Sequence, residues 1–187
     1  CRYPQLKSDD LWIQLTNDVD YLRQLTLSLS DLNRCSHVTF APVNMNQMLS
    51  SIARQYLILA QNQGKHLSAV IPDELPVIAC DELKIHQALI NLIKNAFEAT
   101  QPGDTVELCA KSTAKRLIIS IKDTGIGISQ ENLPKIFQPF VTEKQGGTGL
   151  GLAITKKIIA AHKGSIQVYS REGIGTKFVL SLPITQK

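Results

Sequence analysis

Two asparagines on one predicted helix are the first residues in this chain that suggest chemistry. The segment DELKIHQALINLIKNAFEA, residues 81–99, places Asn91 and Asn95 four positions apart, so both side chains project from one side of the helix, a turn from each other. Asparagine is a mediocre helix former. Two in register beside an apolar stripe suggest a polar pocket above a core, although two solvated surface residues would give the same pattern.

The same segment has a defined start and one apolar face. Asp81 can act as the N-cap, and Glu82 adds favourable charge to the first turn. Apolar residues recur at spacings of four, three and four and form a single stripe of Ile85, Leu89, Leu92 and Ala96. We therefore expect an amphipathic helix whose stripe packs on a core.

A second candidate motif is DTGIG, residues 123–127, which follows a predicted strand. The carboxylate of Asp123 can accept a hydrogen bond from an exocyclic amine, while Gly125 and Gly127 allow a flat ring to approach the backbone. A hairpin turn would use the same residues. The motif alone leaves both interpretations open.

A third candidate is GGTGLGL, residues 146–152. Its glycines allow consecutive backbone N–H groups to point at an anion, and the predicted helix that follows adds positive partial charge at its N-terminus. It is neither GxxxxGK[ST] nor a dinucleotide-binding loop, which would follow a strand directly. A phosphate cradle of another kind is predicted. A flexible linker is the alternative, which the apolar Leu150, Leu152 and Ile154 weaken.

The N-terminal part of the chain is predicted to be one long helix from about Leu6 to Arg34. At about 1.5 Å per residue such a helix reaches roughly 42 Å, too long to lie within a small α/β domain. A coiled coil or helical hairpin is expected, with a long surface helix as the alternative. The seam that would face a partner comprises Leu11, Leu15, Val19, Leu22, Leu25 and Leu29.

Beyond residue 36, short strands and helices alternate irregularly, which excludes a doubly wound parallel sheet. We predict an α+β fold, a two-layer α/β sandwich with a mixed sheet and three helices, preceded by the long helix. Asn44 is expected to cap the first of these helices. The predicted strands cover residues 37–43, 66–72, 75–80, 105–111, 116–122, 165–170 and 176–182, and the helices 45–62, 81–99 and 150–162.

Composition excludes several classes of protein. With 187 residues, 43% hydrophobic and 19% charged, a packed domain of ordinary size plus an appendage is expected. The net charge of +4, without a dense Lys/Arg run, and 5% aromatic residues argue against nucleic acid as a partner. No stretch reaches the roughly 18 apolar residues of a membrane span, and no secretory signal is evident.

The four cysteines, at positions 1, 35, 80 and 109, have neither CxxC nor Cys/His spacing. That argues against a structural zinc site and a disulfide framework and favours a reduced, cytoplasmic setting. Cys35 could be a redox-sensitive thiol, but an inert thiol is the simpler interpretation.

The motifs together resemble a known family. NLIKNAFEA, DTGIGI, the segment from Phe137 to Phe140 and GGTGLGLAI occur in the order and at spacings similar to the N, G1, F and G2 boxes of a sensor histidine kinase. The ATP-binding domain of that family has the Bergerat fold of gyrase-type ATPases. The long helix resembles the second helix of its dimerisation hairpin. The resemblance implies a partial dimerisation helix at 1–38 and an ATP-binding catalytic domain at 39–187.

The resemblance also implies roles for individual residues. Asn95 would hold Mg²⁺ through its amide oxygen, and Asn91 would line the phosphates of ATP. Asp123 would recognise adenine, with Gly125 and Gly127 shaping the base pocket.

The lid over the phosphates would comprise residues 141–147, with Lys144 as a candidate partner of the γ-phosphate. Phe137 and Phe140 are expected to anchor this lid more than to touch nucleotide. Glu98 stands where many members of the family have lysine, which leaves that phosphate contact open. The other residues implied near ATP are Gly147, Thr148, Gly149, Leu150 and Gly151.

Two absences bear on the reaction. Gyrase-type hydrolases have a glutamate at the position of Asn91, and because an amide cannot act as a general base, phosphoryl transfer to a protein is favoured over hydrolysis. The family's phosphorylated histidine is followed by an acidic residue, which is true of none of the histidines here, and His86 and His162 are interpreted as helix-face residues. We therefore expect this chain to be the tail of a longer kinase whose acceptor lies elsewhere.

The resemblance implies ATP and Mg²⁺ as ligands. Its implied partners are an acceptor helix of the same or a partner subunit, a response regulator and, in the full-length protein, a second copy. A cytoplasmic location follows, with a parent that could be anchored in the inner membrane. A gyrase-like ATPase, an anti-sigma-type serine kinase and a nucleotide-gated interaction module without catalysis remain alternatives.

Overall fold

The computed structural model describes residues 10–34, 37–142, 144 and 147–184. The predicted start of the long helix at Leu6, and the positions of Cys35 and Gly146, lie outside the described residues. In chain order the elements are α1 (Asp10–Arg34), β1 (Ala41–Asn44), α2 (Met45–Asn62), β2 (His66–Val70), β3 (Val77–Cys80), α3 (Glu82–Ala99), β4 (Thr105–Ser112), β5 (Arg116–Asp123), α4 (Gly151–Ala161), β6 (Ser165–Arg171) and β7 (Gly175–Pro183).

The main sheet has five strands in the order β2-β4-β5-β7-β6. β2 runs parallel to β4, while every other neighbouring pair is antiparallel, so the sheet is mixed as predicted. Every second residue is buried in β5, and in β4 as far as Ala110, because one face of the sheet carries the helices. The predicted α+β sandwich is confirmed.

Two side chains begin the helices at the predicted places. Asn44 Oδ1 accepts a hydrogen bond from the Gln47 amide at 3.0 Å, and Asp81 Oδ1 accepts one from the Lys84 amide at 3.2 Å. The predicted stripe of α3 is fully buried against the sheet. Asn91 and Asn95 lie beside that stripe and are half-buried, so they flank the core at one side of the helix.

The predicted strand at residues 37–43 is wrong in its first half, since β1 begins only at Ala41 and pairs with β3 in a separate two-stranded sheet. The backbone before it is bonded to α3 instead of a strand. Thr39 N donates to Asp81 Oδ2 at 3.0 Å, and the Lys84 ammonium donates to the His37 carbonyl.

Helix α1 contacts the rest of the protein near its C-terminal end. Leu29 and Leu32 pack against the core, and Lys157 Nζ of α4 donates to the Leu32 carbonyl at 3.3 Å. Further toward the N-terminus the predicted seam is open to solvent, with Leu11 77% and Leu22 60% exposed. No helix in the described part of the chain has the length and apolar character needed to cross a bilayer.

His162, interpreted from the sequence as a helix-face residue, lies at the C-terminal end of α4. It caps α4 and is completely buried, edge-on to Phe40 at 5.4 Å between ring centroids. Nε2 accepts a hydrogen bond from the Asp81 amide at 2.9 Å, and Nδ1 lies 2.8 Å from the Ile158 carbonyl, so Nδ1 carries the proton. The ring thereby joins the end of α4 to the start of α3.

Burial of the neutral ring predicts an acid-sensitive fold. Burial lowers the pKa of His162, and the positive charge of Lys84 adds to this, while the Ile158 carbonyl and Asp81 oppose it. Above about pH 6.5 the ring is neutral in both the folded and unfolded states. Below that pH, His162 binds a proton in the unfolded chain but not in the folded one. The free energy of unfolding therefore falls as pH falls toward the lowered pKa.

We expect the free energy of unfolding to fall by up to ~1.4 kcal/mol per pH unit below about pH 6.5. Urea denaturation at pH 7.5, 6.5 and 5.5 measures this. In His162→Leu the component of the slope that comes from His162 should vanish, and stability at pH 7.5 should drop by about 1–3 kcal/mol because the Asp81 amide loses its acceptor. His86→Gln, at an exposed position of α3, is the control. If the free energy of unfolding of His162→Leu depended on pH as steeply as that of the unaltered protein, His162 would not be the cause of the acid sensitivity.

Candidate active site

A cavity of about 840 Å³ opens between α3, the segment that precedes α4, the start of α4 and the end of β5. It brings together most of the residues singled out from the sequence. Those that line it are Asn91, Asn95, Asp123, Gly127, Lys144, Gly147, Thr148, Gly149 and Gly151, whereas Gly125, Phe137 and Leu150 do not.

One face of α3 forms a polar wall of the cavity. Gln87, Asn91 and Asn95 follow each other at four-residue intervals and all line it, as do Lys94 and Glu98. Asn91 Nδ2 donates to the Gly151 carbonyl at 3.4 Å and so bridges α3 and the first residue of α4. Sequence analysis missed Gln87, although its spacing from Asn91 was the signal that could have found it.

The start of α4 faces the cavity through Gly149 and Gly151. Its first turn contains no acidic residue, and no side chain caps it by a hydrogen bond. The amide groups of a helix's first turn have no partner within the helix and carry positive partial charge. This end of the cavity is therefore suited to an anion.

Asp123 places a buried carboxylate at another wall. Burial raises its pKa, and hydrogen bonds from the Gly125 and Thr176 amides oppose that rise. Both donors reach the same atom, Oδ1, at 3.0 and 3.2 Å. The other oxygen, Oδ2, is thus the one that a ligand's donor can meet.

The glycines of DTGIG serve chain packing. A Cβ on Gly125 would lie 2.1 Å from the Ala99 carbonyl oxygen, and one on Gly127 would lie 2.1 Å from that of Arg171. The Ile126 amide between them donates to Ala99 O at 3.0 Å. The motif passes between the end of α3 and the β6–β7 hairpin with no room for side chains at either glycine. This close approach, more than access for a flat ring, explains both residues.

The glycine-rich segment, residues 140–149 before α4, is closed by one backbone hydrogen bond between its two ends. Phe140 N donates to the Gly149 carbonyl at 3.0 Å, and both residues have positive φ, 67° and 65°. Phe137 packs against the core edge-on to Phe178, with Lys156 Nζ 5.3 Å from its ring centroid. Phe137 is thus packed against the core, whereas the Phe140 side chain, also predicted to anchor the lid, is 57% exposed and joins the segment through its backbone amide. Leu150 is also buried in the core, which leaves its backbone for any ligand.

Three charged groups meet at the end of the cavity next to Asn95. The ammonium of Lys144 forms a close ion pair with Glu98 and lies 3.2 Å from Asn95 Oδ1. Lys94, one turn before Glu98, is 3.7 Å from the same carboxylate. Asn95 Oδ1 already accepts a cationic donor, so this amide oxygen is oriented to meet a positive charge.

That geometry fits a magnesium ion held partly by a bound ligand. Within the described residues no group of three or more His, Cys, Asp or Glu could hold a metal. Mg²⁺ commonly takes one or two protein oxygens and completes its shell with phosphate oxygens and water. Asn95 Oδ1 can supply such an oxygen.

Residues 80–186 match the family described as histidine kinase-, DNA gyrase B- and HSP90-like ATPase. The chain belongs to this family. Over 170 residues the chain is 32% identical to the sensor histidine kinase ZraS of Escherichia coli K12, which takes in 91% of this chain and 37% of ZraS. The chain therefore spans little more than a third of that relative.

Solved structures of histidine kinases have the same fold. Full-length ShkA, in complex with AMPPNP, superposes with a TM-score of 0.82 at 27% identity over 97% of this chain and 40% of ShkA. The nucleotide-free catalytic domain of ThkA gives a TM-score of 0.71 at 31% identity, over 79% of this chain and 97% of that domain. ThkA in complex with response regulator protein TrrA gives 0.77 at 25% identity, over 95% of this chain and 51% of that one.

These matches confirm the predicted family, the predicted fold and the predicted class, an ATP-binding domain of the histidine kinase type. The structure adds lining residues to which the sequence analysis gave no role. The apolar part of the lining includes Ile126, Ile128, Ile136 and Phe178, and α1 contributes Leu27 and Ser28. Ile126 and Ile128 belong to the DTGIGI segment, whereas the others come from distant parts of the chain, so no local spacing could have grouped them.

Proposed function

We propose that this chain binds Mg-ATP in the cavity and transfers the γ-phosphate to a histidine on a dimerisation hairpin, for relay to an aspartate of a response regulator. The observation that carries the proposal is one cavity that combines a buried carboxylate, Asp123, with an uncapped helix N-terminus and an amide oxygen, Asn95 Oδ1, that meets a cation. Those three features match the amine, the phosphates and the metal of Mg-ATP.

Adenine would lie among the apolar residues beside Asp123. Oδ2 of this carboxylate would accept a hydrogen bond from the exocyclic amine, while the amides of Gly125 and Thr176 hold Oδ1 in place. Because the donors are backbone groups, the orientation of the carboxylate is set before the base arrives. A base with a carbonyl at that position would face an acceptor and be rejected.

The phosphates would lie between α3 and the start of α4. Amides of the first turn of α4, together with Lys94 and Lys144, supply positive charge there. Asn95 would hold Mg²⁺ through its amide oxygen, and the bound metal neutralises charge on the phosphates. Catalysis of phosphoryl transfer is mostly positioning and charge neutralisation.

Transfer is favoured over hydrolysis by the residue at position 91. The Asn91 amide cannot take a proton from water, and it is held by the Gly151 carbonyl. A neutral imidazole attacks through its unprotonated nitrogen, so no base has to remove a proton from the attacking atom. That nitrogen forms a bond to phosphorus, the bond to the β–γ bridging oxygen breaks and its electron pair leaves with ADP, and the proton on the other ring nitrogen is released to solvent.

The proposal extends to the partners and layout of the parent protein. Residues 1–38 would be the second helix of a dimerisation hairpin and 39–187 the catalytic domain. The exposed part of the α1 seam would pack in a helical bundle with a second copy, since an apolar stripe of that length is stabilised by burial. A cytoplasmic location and a response regulator as the final acceptor follow from this function.

The test is transfer in trans. Radiolabelled γ-phosphate should pass from ATP to a hairpin that carries the acceptor histidine when this chain and Mg²⁺ are added, and the label should be acid-labile and base-stable. Substitution of the acceptor histidine by glutamine is the control. Release of free phosphate without a labelled protein would favour a hydrolase, label on serine a serine kinase, and tight ATP binding without either reaction an interaction module.

A further inference from the structure

Lys144 connects the glycine-rich segment to α3 through two oxygens. Its ammonium meets the Glu98 carboxylate and Asn95 Oδ1. Asn95 and Glu98 are three positions apart on α3, so their side chains are neighbours on one helix face. A single cation from the segment before α4 is thus held by one amide oxygen and one carboxylate of a rigid helix.

The same amide oxygen is the one proposed above for Mg²⁺. Two cations at close range to one oxygen repel each other, because the Coulomb energy of like charges rises steeply as their separation falls to a few ångströms. The Lys144 ammonium and a metal ion therefore compete for Asn95. Lys94 lies on α3 itself and forms an ion pair with Glu98 at 3.7 Å, and within the described residues the ammonium hydrogen-bonded to Asn95 Oδ1 is that of Lys144.

We propose that Glu98 is a positioning residue that holds Lys144 on Asn95 before nucleotide binds, and that Mg-ATP exchanges this ammonium for the metal ion. The inference rests on the proposed function for its second half only. This role accounts for the carboxylate of Glu98 at the end of the cavity proposed for the phosphates. Glu98 keeps the Lys144 ammonium on Asn95 Oδ1 until Mg²⁺ binds to that oxygen. Lys144 also lines the cavity, so its charge stays close to the phosphates once displaced.

The first half of the proposal is tested without nucleotide. Trypsin cuts after lysine only when the side chain is free to enter its pocket, so cleavage after Lys144 reports how often the ion pair opens. Glu98→Gln should raise the initial rate of this cut about two- to five-fold, the size expected for one partly exposed ion pair. Lys94→Gln is the matched control, because it removes the other cation beside Glu98, and its rate should equal that of the unaltered protein.

A urea transition measured on each variant checks that the global fold is unchanged. Glu98 is 39% exposed at its side chain, so its replacement leaves no buried group unpaired. Equal cleavage rates for Glu98→Gln and the unaltered protein would overturn the proposal, as would an equal increase in Lys94→Gln.

The second half is tested by the effect of Mg²⁺ on ATP affinity. The quantity is the Kd for ATP in EDTA divided by the Kd in saturating Mg²⁺. Weakening the competitor should raise this ratio about two- to five-fold in Glu98→Gln. Simple repulsion of phosphates by Glu98 would lower the ratio, since removing the repulsion helps the more negative, metal-free ATP most. Glu98 acting as a metal ligand would lower it too.

An unchanged or lowered ratio would therefore overturn the exchange. If the unaltered protein bound no ATP at all, the proposed function would fail and the exchange of cations with it. The trypsin comparison decides separately whether Glu98 holds Lys144.

Discussion

Replacing Asp123 by asparagine is expected to weaken ATP binding about 10- to 100-fold, because a hydrogen bond to a charged group contributes roughly 1.5–3 kcal/mol. The asparagine oxygen can still accept from the Gly125 and Thr176 amides, so the loop should keep its course. The remaining atom becomes an NH₂ donor that faces the donor of adenine. Isothermal titration calorimetry with a non-hydrolysable ATP analogue and Mg²⁺ measures the loss.

Two comparisons test whether Asp123 recognises adenine. Glu107→Gln removes a carboxylate from β4 outside the cavity and should leave the affinity unchanged. The preference for ATP over GTP should shrink in Asp123→Asn, since the discriminating acceptor is gone. If Asp123→Asn bound ATP with unchanged affinity, or kept its full preference for ATP over GTP, Asp123 would not be the residue that recognises adenine.

Replacing Asn95 by alanine is expected to reduce phosphoryl transfer to the acceptor hairpin at least about 100-fold. Removing even an outer partner of a metal ligand costs about 10–100-fold in metal affinity or activity, and Asn95 is proposed to touch the metal itself. ATP affinity in EDTA should change little, because the base and the first turn of α4 are untouched. The Mg²⁺ titration of binding and a transfer assay with labelled ATP together measure the effect.

Asn95→Asp retains an oxygen for the metal and should recover part of the Mg²⁺-dependent affinity. Asn62→Ala, at the exposed end of α2, controls for loss of a helical asparagine. Asn95→Ala with a normal response to Mg²⁺ would show that the metal is held elsewhere. Loss of affinity in EDTA as large as in Mg²⁺ would point to a contact with the nucleotide instead of the metal.

The polar and apolar faces of α3 illustrate what sequence patterns predict well. The Asp81 cap, the buried stripe and the face that carries Asn91 and Asn95 all depend on residues within a few turns of each other. Helix geometry alone relates such residues in space. The four motifs that resemble the N, G1, F and G2 boxes, taken in order, also sufficed to identify the family.

The glycines of DTGIG show where a correct motif carried an incomplete explanation. Their presence was evident from the sequence, but the carbonyls that exclude side chains belong to Ala99 and Arg171. Arg171 lies more than 40 positions downstream. Only the folded chain shows that Gly125 and Gly127 make space for backbone.

Long-range hydrogen bonds account for what the sequence did not predict. His162 was interpreted as a helix-face residue, but its hydrogen-bond partner, the Asp81 amide, lies 81 positions away and could not be identified from spacing. The strand predicted from residue 37 begins only at Ala41 for a related reason, since the Thr39 amide bonds to Asp81 instead of a neighbouring strand. Neither partner is encoded in local periodicity.

The sequence by itself determined the elements, the caps and the residue types that can bind Mg-ATP, because these follow from spacing along one helix or loop. Tertiary structure alone decided which side chains share the cavity and which charges meet in it. Lys144 and Glu98 are 46 positions apart, and a contact at such separation is set by how the sheet and helices pack. Two charges become a pair only when folding brings them within a few ångströms.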